Sequence, residues 1–370
     1  MKKALGFIVA VLTLLPCFSL AETDVYTLMD ESGTVLTRYC GECDIGDEYI
    51  SQSNQHYQVT HVDHAQKTAQ TICLGTITLP DVSWLEAVDS QPVSAMVERK
   101  IALYCTHSDE SYIKGDGTES VEGSGGIYDI ASAMQTAFEN LGVSIERSEQ
   151  THLPHDAGAY RRSRQTAVEL LKSRPNAIFD IHRDGIPDPD EYLTKVGGEE
   201  MSMVRLLVGK SNQNKDANLS FAKQIKAVAD KIYPGLIKDI YMGKGTYNQD
   251  LAPRSVLLEF GTHTLSKELV LKAVDPVSES IYKALFGGVI GSAGTSDASR
   301  GTQSTQEKPA ETIAPATEDQ TGSGWIIWLI LILAGGLGLF AFLSTGGKGG
   351  MEKWKRSFSE MTGGLFRRGK

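Results

Sequence analysis

The alternation of apolar runs along the chain predicts strands and helices between about residue 101 and residue 290. Ile127, Ile130, Met134 and Phe138 recur at helical spacing, and Gly142 suits the end of that helix. Strands separated by amphipathic helices predict an α/β fold with a mostly parallel sheet and flanking helices. The predicted strands cover residues 101–106, 143–145, 177–181, 204–208 and 256–260, and the predicted helices cover 127–141, 160–174, 222–232 and 266 to beyond 276.

A different pattern precedes this region, with short strand-like runs separated by polar turns. It predicts a small β-rich accessory module over residues 22–92, followed by the α/β domain over residues 97–290. Cys40 and Cys43 form one Cys-x-x-Cys pair, which fits loose thiols or a local disulfide better than a structural zinc site. The strand-like runs lie at residues 25–28, 34–36, 57–59 and 77–79.

Both ends of the chain have the composition of membrane-targeting segments. Residues 1–21 resemble a cleaved signal peptide, with an uncleaved N-terminal anchor as the alternative. Residues 291–324 are rich in small and polar residues and predict a flexible linker. The uncharged apolar stretch 325–343 predicts a transmembrane helix, with a buried core helix as the alternative. The basic tail 344–370 is then cytoplasmic, which predicts a single-pass membrane protein with an extracytoplasmic domain.

The overall composition narrows the range of partners. With 41% hydrophobic and 22% charged residues the chain is an ordinary globular protein, and its formal net charge is −10. Because nonspecific nucleic-acid binding depends on basic patches, this charge argues against nucleic acid as a partner.

Candidate metal ligands stand at the ends of predicted core strands. His107 follows one strand with Glu110 three residues later, and His182 ends another between Asp180 and Asp184. In a parallel sheet ligands gather beyond the carboxyl ends of the strands, so these side chains are expected to meet. Two imidazoles and a carboxylate with an open position are the ligands of a catalytic zinc ion. Asp180 and Asp184 share a strand face with His182 and are candidates to orient its ring.

Glu259 is the candidate catalytic base. It ends the apolar run 256–258, and burial there raises the pKa of a carboxyl toward a value useful for proton transfer. Its alternative role is a hydrogen bond to the backbone of the next helix. Arg183 and Arg164 are candidates for holding a peptide carboxylate, because a guanidinium binds that group in bidentate fashion. Alternatively, Arg164 is a solvent-exposed residue on the face of a helix.

Four segments occur in one order and together closely resemble the stage II sporulation protein P family. They are Thr-His-Ser-Asp-Glu-Ser-Tyr at 106–112, Arg-Arg-Ser-Arg-Gln-Thr at 161–166, Asp-Ile-His-Arg-Asp at 180–184 and Val-Leu-Leu-Glu at 256–259. The resemblance covers roughly residues 97–290 and marks this region as the catalytic domain of a zinc amidase-like fold. It implies a zinc-dependent N-acetylmuramoyl-L-alanine amidase, also credited with endopeptidase activity, that degrades septal peptidoglycan during engulfment. Stage II sporulation proteins D and M are the implied partners.

The same resemblance implies roles for individual residues. His107 and His182 would be zinc ligands and Glu259 the catalytic acid, while Glu110, Glu119 and Glu122 all remain candidates for the third ligand. Two features depart from the family: Cys105 stands where members commonly have a histidine, and the predicted anchor is C-terminal rather than N-terminal. The alternative functions are a zinc carboxypeptidase or endopeptidase acting on stem peptides, and a non-catalytic wall-binding scaffold.

Overall fold

The computed structural model describes residues 25–88 and 98–287. The predicted signal peptide, linker, transmembrane helix and cytoplasmic tail lie outside these residues. Within them, no helix combines the length and the hydropathy needed to cross a bilayer. The strands are β1 Val25–Met29, β2 Val35–Cys40, β3 Glu48–Ile50, β4 Gln55–Asp63, β5 Thr68–Thr76, β6 Lys100–Tyr104, β7 Ser144–Arg147, β8 Ala177–Asp184, β9 Leu193–Val196, β10 Glu199–Ser202, β11 Val204–Gly209, β12 Ile237–Gly243 and β13 Ser255–Thr262.

Seven α-helices and two 3₁₀ turns connect these strands within the described ranges. The α-helices are α1 Leu85–Val88, α2 Ile113–Asp116, α3 Ile127–Asn140, α4 Ala159–Leu171, α5 Lys215–Ile232, α6 Lys267–Lys272 and α7 Val274–Phe286, and the 3₁₀ turns are Pro189–Tyr192 and Gln249–Leu251. The last predicted helix is divided at Ala273, and Pro276 falls in the first turn of α7, where its missing N–H costs nothing. Gly142 adopts a left-handed conformation after α3, as a helix-ending glycine does.

Eleven of the described strands form one sheet, in the order β2-β1-β5-β4-β3-β12-β11-β13-β8-β6-β7. From β12 to β7 every neighbouring pair is parallel except β11–β13. The predicted α/β fold with a mostly parallel sheet is therefore confirmed for residues 98–287. The predicted strand at 77–79 is wrong, because β5 ends at Thr76 and Ile77 begins an irregular connection.

The N-terminal strands continue the same sheet, since β3 pairs with β12 in antiparallel register. Their side chains also bury Leu207, Tyr241 and Leu257 on one face of the central strands. Helices α3, α5 and α7 contribute to the larger core on the sheet, and Ala167 and Leu170 of α4 pack with residues of β6 and β8 in a separate small cluster. The division of the chain into a module and a catalytic domain stays a prediction, but the strands of both are hydrogen-bonded to one another.

Candidate metal centre and active-site cleft

Three candidate ligands meet at the carboxyl ends of β6 and β8. Glu110 Oε1 lies 3.1 Å from His107 Nδ1 and 3.4 Å from His182 Nδ1. The two imidazole ring centroids are 4.8 Å apart and nearly perpendicular. One ligand atom from each of the three residues falls within 4.8 Å of the others. Two histidines that are remote in sequence thus face one carboxylate.

The donor set fits a zinc ion. Tetrahedral zinc with ligands at about 2.0–2.1 Å holds neighbouring ligand atoms roughly 3.3 Å apart, close to the spacing of Glu110 from each imidazole. The second ring nitrogen of His182, Nε2, lies 3.0 Å from Asp180 Oδ1, without the alignment of a hydrogen bond. Asp180 is itself fixed by the backbone N–H and the hydroxyl of Thr106, at 2.8 and 2.6 Å. An oriented carboxylate behind a ligating imidazole is the usual support of a metal centre.

Electrostatics at this centre favour a cation. Burial opposes ionisation of Glu110, yet the charges and hydrogen bonds of His182 and His107 hold its pKa well below its usual range. Burial lowers the pKa of His107. For His182, burial is outweighed by Asp180 and Glu110, which raise its pKa well above the ordinary value. Negative charge is therefore concentrated beside both imidazoles, where a metal ion would neutralise it.

Of the three carboxylates considered as third ligand, the structure brings only Glu110 to the histidines among the described residues. Glu110 is buried, whereas Glu119 and Glu122 are exposed. Glu119 lies 3.7 Å from His263 Nε2 at the rim of the cleft.

The two candidate substrate arginines have different surroundings. Arg183 lines the cleft, but three carbonyl oxygens already accept hydrogen bonds from its guanidinium, those of Ser111, Glu119 and Asp184. Its backbone N–H donates to Glu110 Oε2 at 2.9 Å. Arg164 does not line the cleft, and both of its terminal nitrogens are paired with Asp250, at 2.6 and 2.7 Å. The structure therefore gives Arg183 a role in holding the loop of Glu110 and does not bring Arg164 to the site.

Glu259 lies beside His182 on the adjacent strand, since the two are register partners in the parallel β8–β13 pair. Its side chain lines the same cleft and is buried. Burial and the neighbouring charge of Asp184 raise the pKa of Glu259 well above its ordinary value. The hydroxyl oxygen of Tyr192 lies 2.7 Å from Asp184 Oδ2 and 3.1 Å from Glu259 Oε2, within hydrogen-bond distance of both carboxyl groups. The carboxyl is thus fixed by hydrogen bonding.

Arg205 is a site residue that sequence reasoning did not single out. Its side chain is fully buried on β11 and contacts Asp184 at 2.9 Å, while two of its nitrogens bind Asp239 at 2.7 and 3.0 Å. Nη1 also lies 3.6 Å from Glu259. The signal available in the sequence was an arginine inside the apolar run 204–208, because a charge buried in a strand requires partners.

Three further histidines of the α/β region, His152, His155 and His263, hold structural or cleft positions. His152 is buried and bonded through both ring nitrogens, to the Cys105 carbonyl and the Thr166 hydroxyl. His155 stacks on His107 with ring centroids 3.9 Å apart and pairs with Asp109 at 3.0 Å. His155 and His263 both line the cleft, which encloses about 860 Å³.

Comparison with solved structures returns amidases at low identity and low TM-score. The N-acetylmuramyl-L-alanine amidase Ami1 from Mycobacterium smegmatis matches with a TM-score of 0.35 and 20% identity, covering 52% of this chain and 99% of that one. The CwlD amidase from Clostridioides difficile, solved in complex with the GerS lipoprotein, matches with a TM-score of 0.31 and 17% identity, covering 50% of this chain and 95% of that one.

Sequence comparison gives a more specific match. Stage II sporulation protein P from Bacillus subtilis (strain 168) is 29% identical over 183 residues, which span 44% of this chain and 45% of that protein. The match thus spans less than half of the relative's length. The family model described as Stage II sporulation protein P (SpoIIP) matches residues 42–282, well over half of the chain. The chain therefore belongs to the stage II sporulation protein P family.

Proposed function

We propose that this protein is a zinc-dependent N-acetylmuramoyl-L-alanine amidase that hydrolyses cell-wall peptidoglycan, in particular septal peptidoglycan during engulfment in sporulation. The observation that carries the proposal is the meeting of His107, Glu110 and His182 in one cleft with the buried carboxyl of Glu259. Membership of the sporulation family supports the choice of substrate and process. This resemblance also implies some endopeptidase activity.

Zinc binding and proton transfer are assigned to different residues of the cleft. His107, Glu110 and His182 would hold the zinc ion, which when bound polarises a carbonyl and lowers the pKa of water. Glu259 would take a proton from the attacking water and return it to the departing L-alanine amine. Tyr192 lies within hydrogen-bond distance of the Glu259 carboxyl and holds it in place, as proton transfer to and from this group requires. Arg183 keeps the loop of Glu110 against β8.

The test uses purified sacculi and two active-site variants. His107→Ala should abolish both stem-peptide release and zinc binding, whereas Glu259→Ala should abolish release and retain stoichiometric zinc. The matched controls are His61→Ala and Glu139→Ala, at exposed positions on β4 and α3, and both should keep full activity. Stem-peptide release that persists in both active-site variants would contradict the assignment.

The products separate the amidase from its alternatives. Mass spectrometry should find glycan strands freed of peptide together with intact stem peptides. Cleavage within the stem peptides alone would indicate a carboxypeptidase or endopeptidase. The His-x-x-Glu spacing at 107–110 is compatible with that hypothesis. A wall-binding scaffold would bind sacculi without copurifying zinc.

Location and partners are a further part of the proposal. The apolar stretch 325–343 and the basic tail after it support a single membrane span with the catalytic residues outside the cytoplasm. Stage II sporulation proteins D and M are the partners that the family resemblance suggests. Protease added to intact cells should digest the region of residues 25–287 and spare a tag placed after residue 370.

A further inference from the structure

Part of the cleft is lined by aromatic rings that lead away from the metal ligands. Tyr160 lies 5.4 Å from His107 and 6.2 Å from His182, measured between ring centroids. Tyr247 meets Tyr160 edge to face at 5.3 Å, and its hydroxyl lies 3.3 Å from the hydroxyl of Tyr39. We call Tyr39, Tyr160 and Tyr247 the aromatic wall. Leu207 and Leu257 line the cleft with it.

The loop that carries Tyr247 holds an unfavourable backbone conformation. Tyr247 and Asn248 have φ of 48° and 56°, which is uncommon for residues with a side chain and occurs here at two consecutive positions. Asn248 fixes the loop to α4, donating 3.0 Å hydrogen bonds to the Tyr160 carbonyl and the Ser163 hydroxyl. A Cβ at Gly245 would overlap the Tyr247 ring. Strain of this kind persists where the surroundings enforce it, and here the enforced result is the placement of one aromatic ring.

A second set of lining residues is polar and is connected to Glu110 rather than to the aromatic wall. Arg183 bonds the Glu119 carbonyl, and the Glu119 side chain approaches His263. Ser120 donates to Asp109 at 2.7 Å in the same stretch. The cleft therefore offers a predominantly aromatic surface and a charged surface around one metal centre.

These two surfaces match the two sides of the proposed scissile amide. We propose that Tyr247 is a substrate-positioning residue that stacks on the pyranose ring of an N-acetylated amino sugar, while the charged peptide lies along the polar set. A sugar ring presents C–H groups that pack on an aromatic face, and a stem peptide presents amide groups that hydrogen-bond to polar side chains. The inference rests on the proposed function, because it assigns the sides of the bond that the amidase cleaves.

The test compares two compounds that differ only in the sugar. One is an N-acetylmuramoyl tripeptide and the other is the D-lactoyl tripeptide of the same sequence. Tyr247→Ala should raise KM for the first compound about tenfold, the upper end of one aromatic contact, with kcat little changed. Hydrolysis of the sugarless compound should be unaffected, and Tyr247→Phe should restore the wild-type KM because the ring face is retained. The control is Tyr57→Ala, a half-buried tyrosine outside the cleft.

A second variant keeps the tyrosine and moves its ring. Gly245→Ala should reproduce the selective rise in KM, since the new methyl group displaces the ring. An equal loss on both compounds, or no loss on either, would overturn the role of Tyr247. If the wild-type protein cleaves neither compound, the proposed function fails. Calorimetric binding of the two compounds would then decide the inference separately, since only the sugar-bearing compound should lose affinity in Tyr247→Ala.

Discussion

Replacing Arg205 with methionine tests the buried charge network behind the site. The guanidinium has no solvent exposure and contacts two carboxylates, those of Asp184 and Asp239. It also donates to the Thr37 hydroxyl at 2.9 Å and to the Arg38 carbonyl at 2.8 Å. Arg205→Met approximately preserves the volume of the side chain. Any loss of unfolding free energy therefore comes mainly from the missing charge and its hydrogen bonds, and little from an empty cavity.

The expected loss of unfolding free energy is large because carboxylates are left buried without a cation. Removing one partner of a buried ion pair costs about 3–5 kcal/mol, and two carboxylates and a carbonyl depend on this one side chain. Arg164→Met is the matched control. Its pair with Asp250 is also doubly bonded, but the arginine side chain is 43% exposed, and such a surface pair is worth roughly 0–1 kcal/mol.

Urea unfolding of the two variants at pH 7 measures the difference. Arg205→Met should lose at least about 3 kcal/mol of unfolding free energy relative to Arg164→Met. Adding Asp239→Asn to Arg205→Met should recover part of the loss, since it removes one of the stranded charges. If the two arginine variants unfold at the same urea concentration, the network does not stabilise the fold and the reasoning is wrong.

Three further predictions concern the metal, its loop and a buried acid. Chelation should abolish hydrolysis reversibly without unfolding the chain, because His107, Glu110 and His182 remain paired with one another; far-UV circular dichroism and zinc add-back check this. Arg183→Met should weaken zinc binding roughly tenfold in a chelator competition by releasing the loop of Glu110, and the exposed Arg161→Met should not. Burial raises the pKa of Asp47 to about 6, so the contribution of this carboxyl to folding stability should fall as the pH rises from about 4 to 6, by roughly 1–3 kcal/mol. Asp47→Asn should remove that slope in urea unfolding measured across this range, and an unchanged slope would contradict the cause.

Local periodicity was sufficient to predict a helix that buries one face and a strand that consists of a single apolar run. The helix predicted at 127–141 is Ile127–Asn140, and the strand predicted at 177–181 lies within β8. Strand β12 was missed because its sequence, Ile-Lys-Asp-Ile-Tyr-Met-Gly, places Lys238 and Asp239 inside a buried strand. Asp239 is tolerated there only because Arg205 reaches it from the adjacent strand, and no local pattern shows that partner.

The candidate site likewise contains residues that the sequence could predict and residues that it could not. His107, Glu110 and His182 follow or end apolar runs, so the general rule for strand ends was enough to group them before the structure was known. Arg164 was grouped with them by residue type alone, and its actual partner, Asp250, lies far along the chain. The third-ligand choice depended on a loop whose course is fixed by the hydrogen bonds of Arg183, which no spacing rule contains.

The N-terminal strands contribute to the site although none of the predicted site residues lies in them. Every predicted ligand and the predicted base come from residues 97–290, yet Thr37 and the Arg38 carbonyl bind the guanidinium that contacts Asp184. Tyr39 of the same strand lines the cleft and stacks on Tyr241 with ring centroids 3.9 Å apart. Residues 97–290 alone would therefore leave Arg205 with unmatched donors and the cleft without one side. The accessory strands belong to the architecture of the site, because a buried cation and a substrate surface both depend on them.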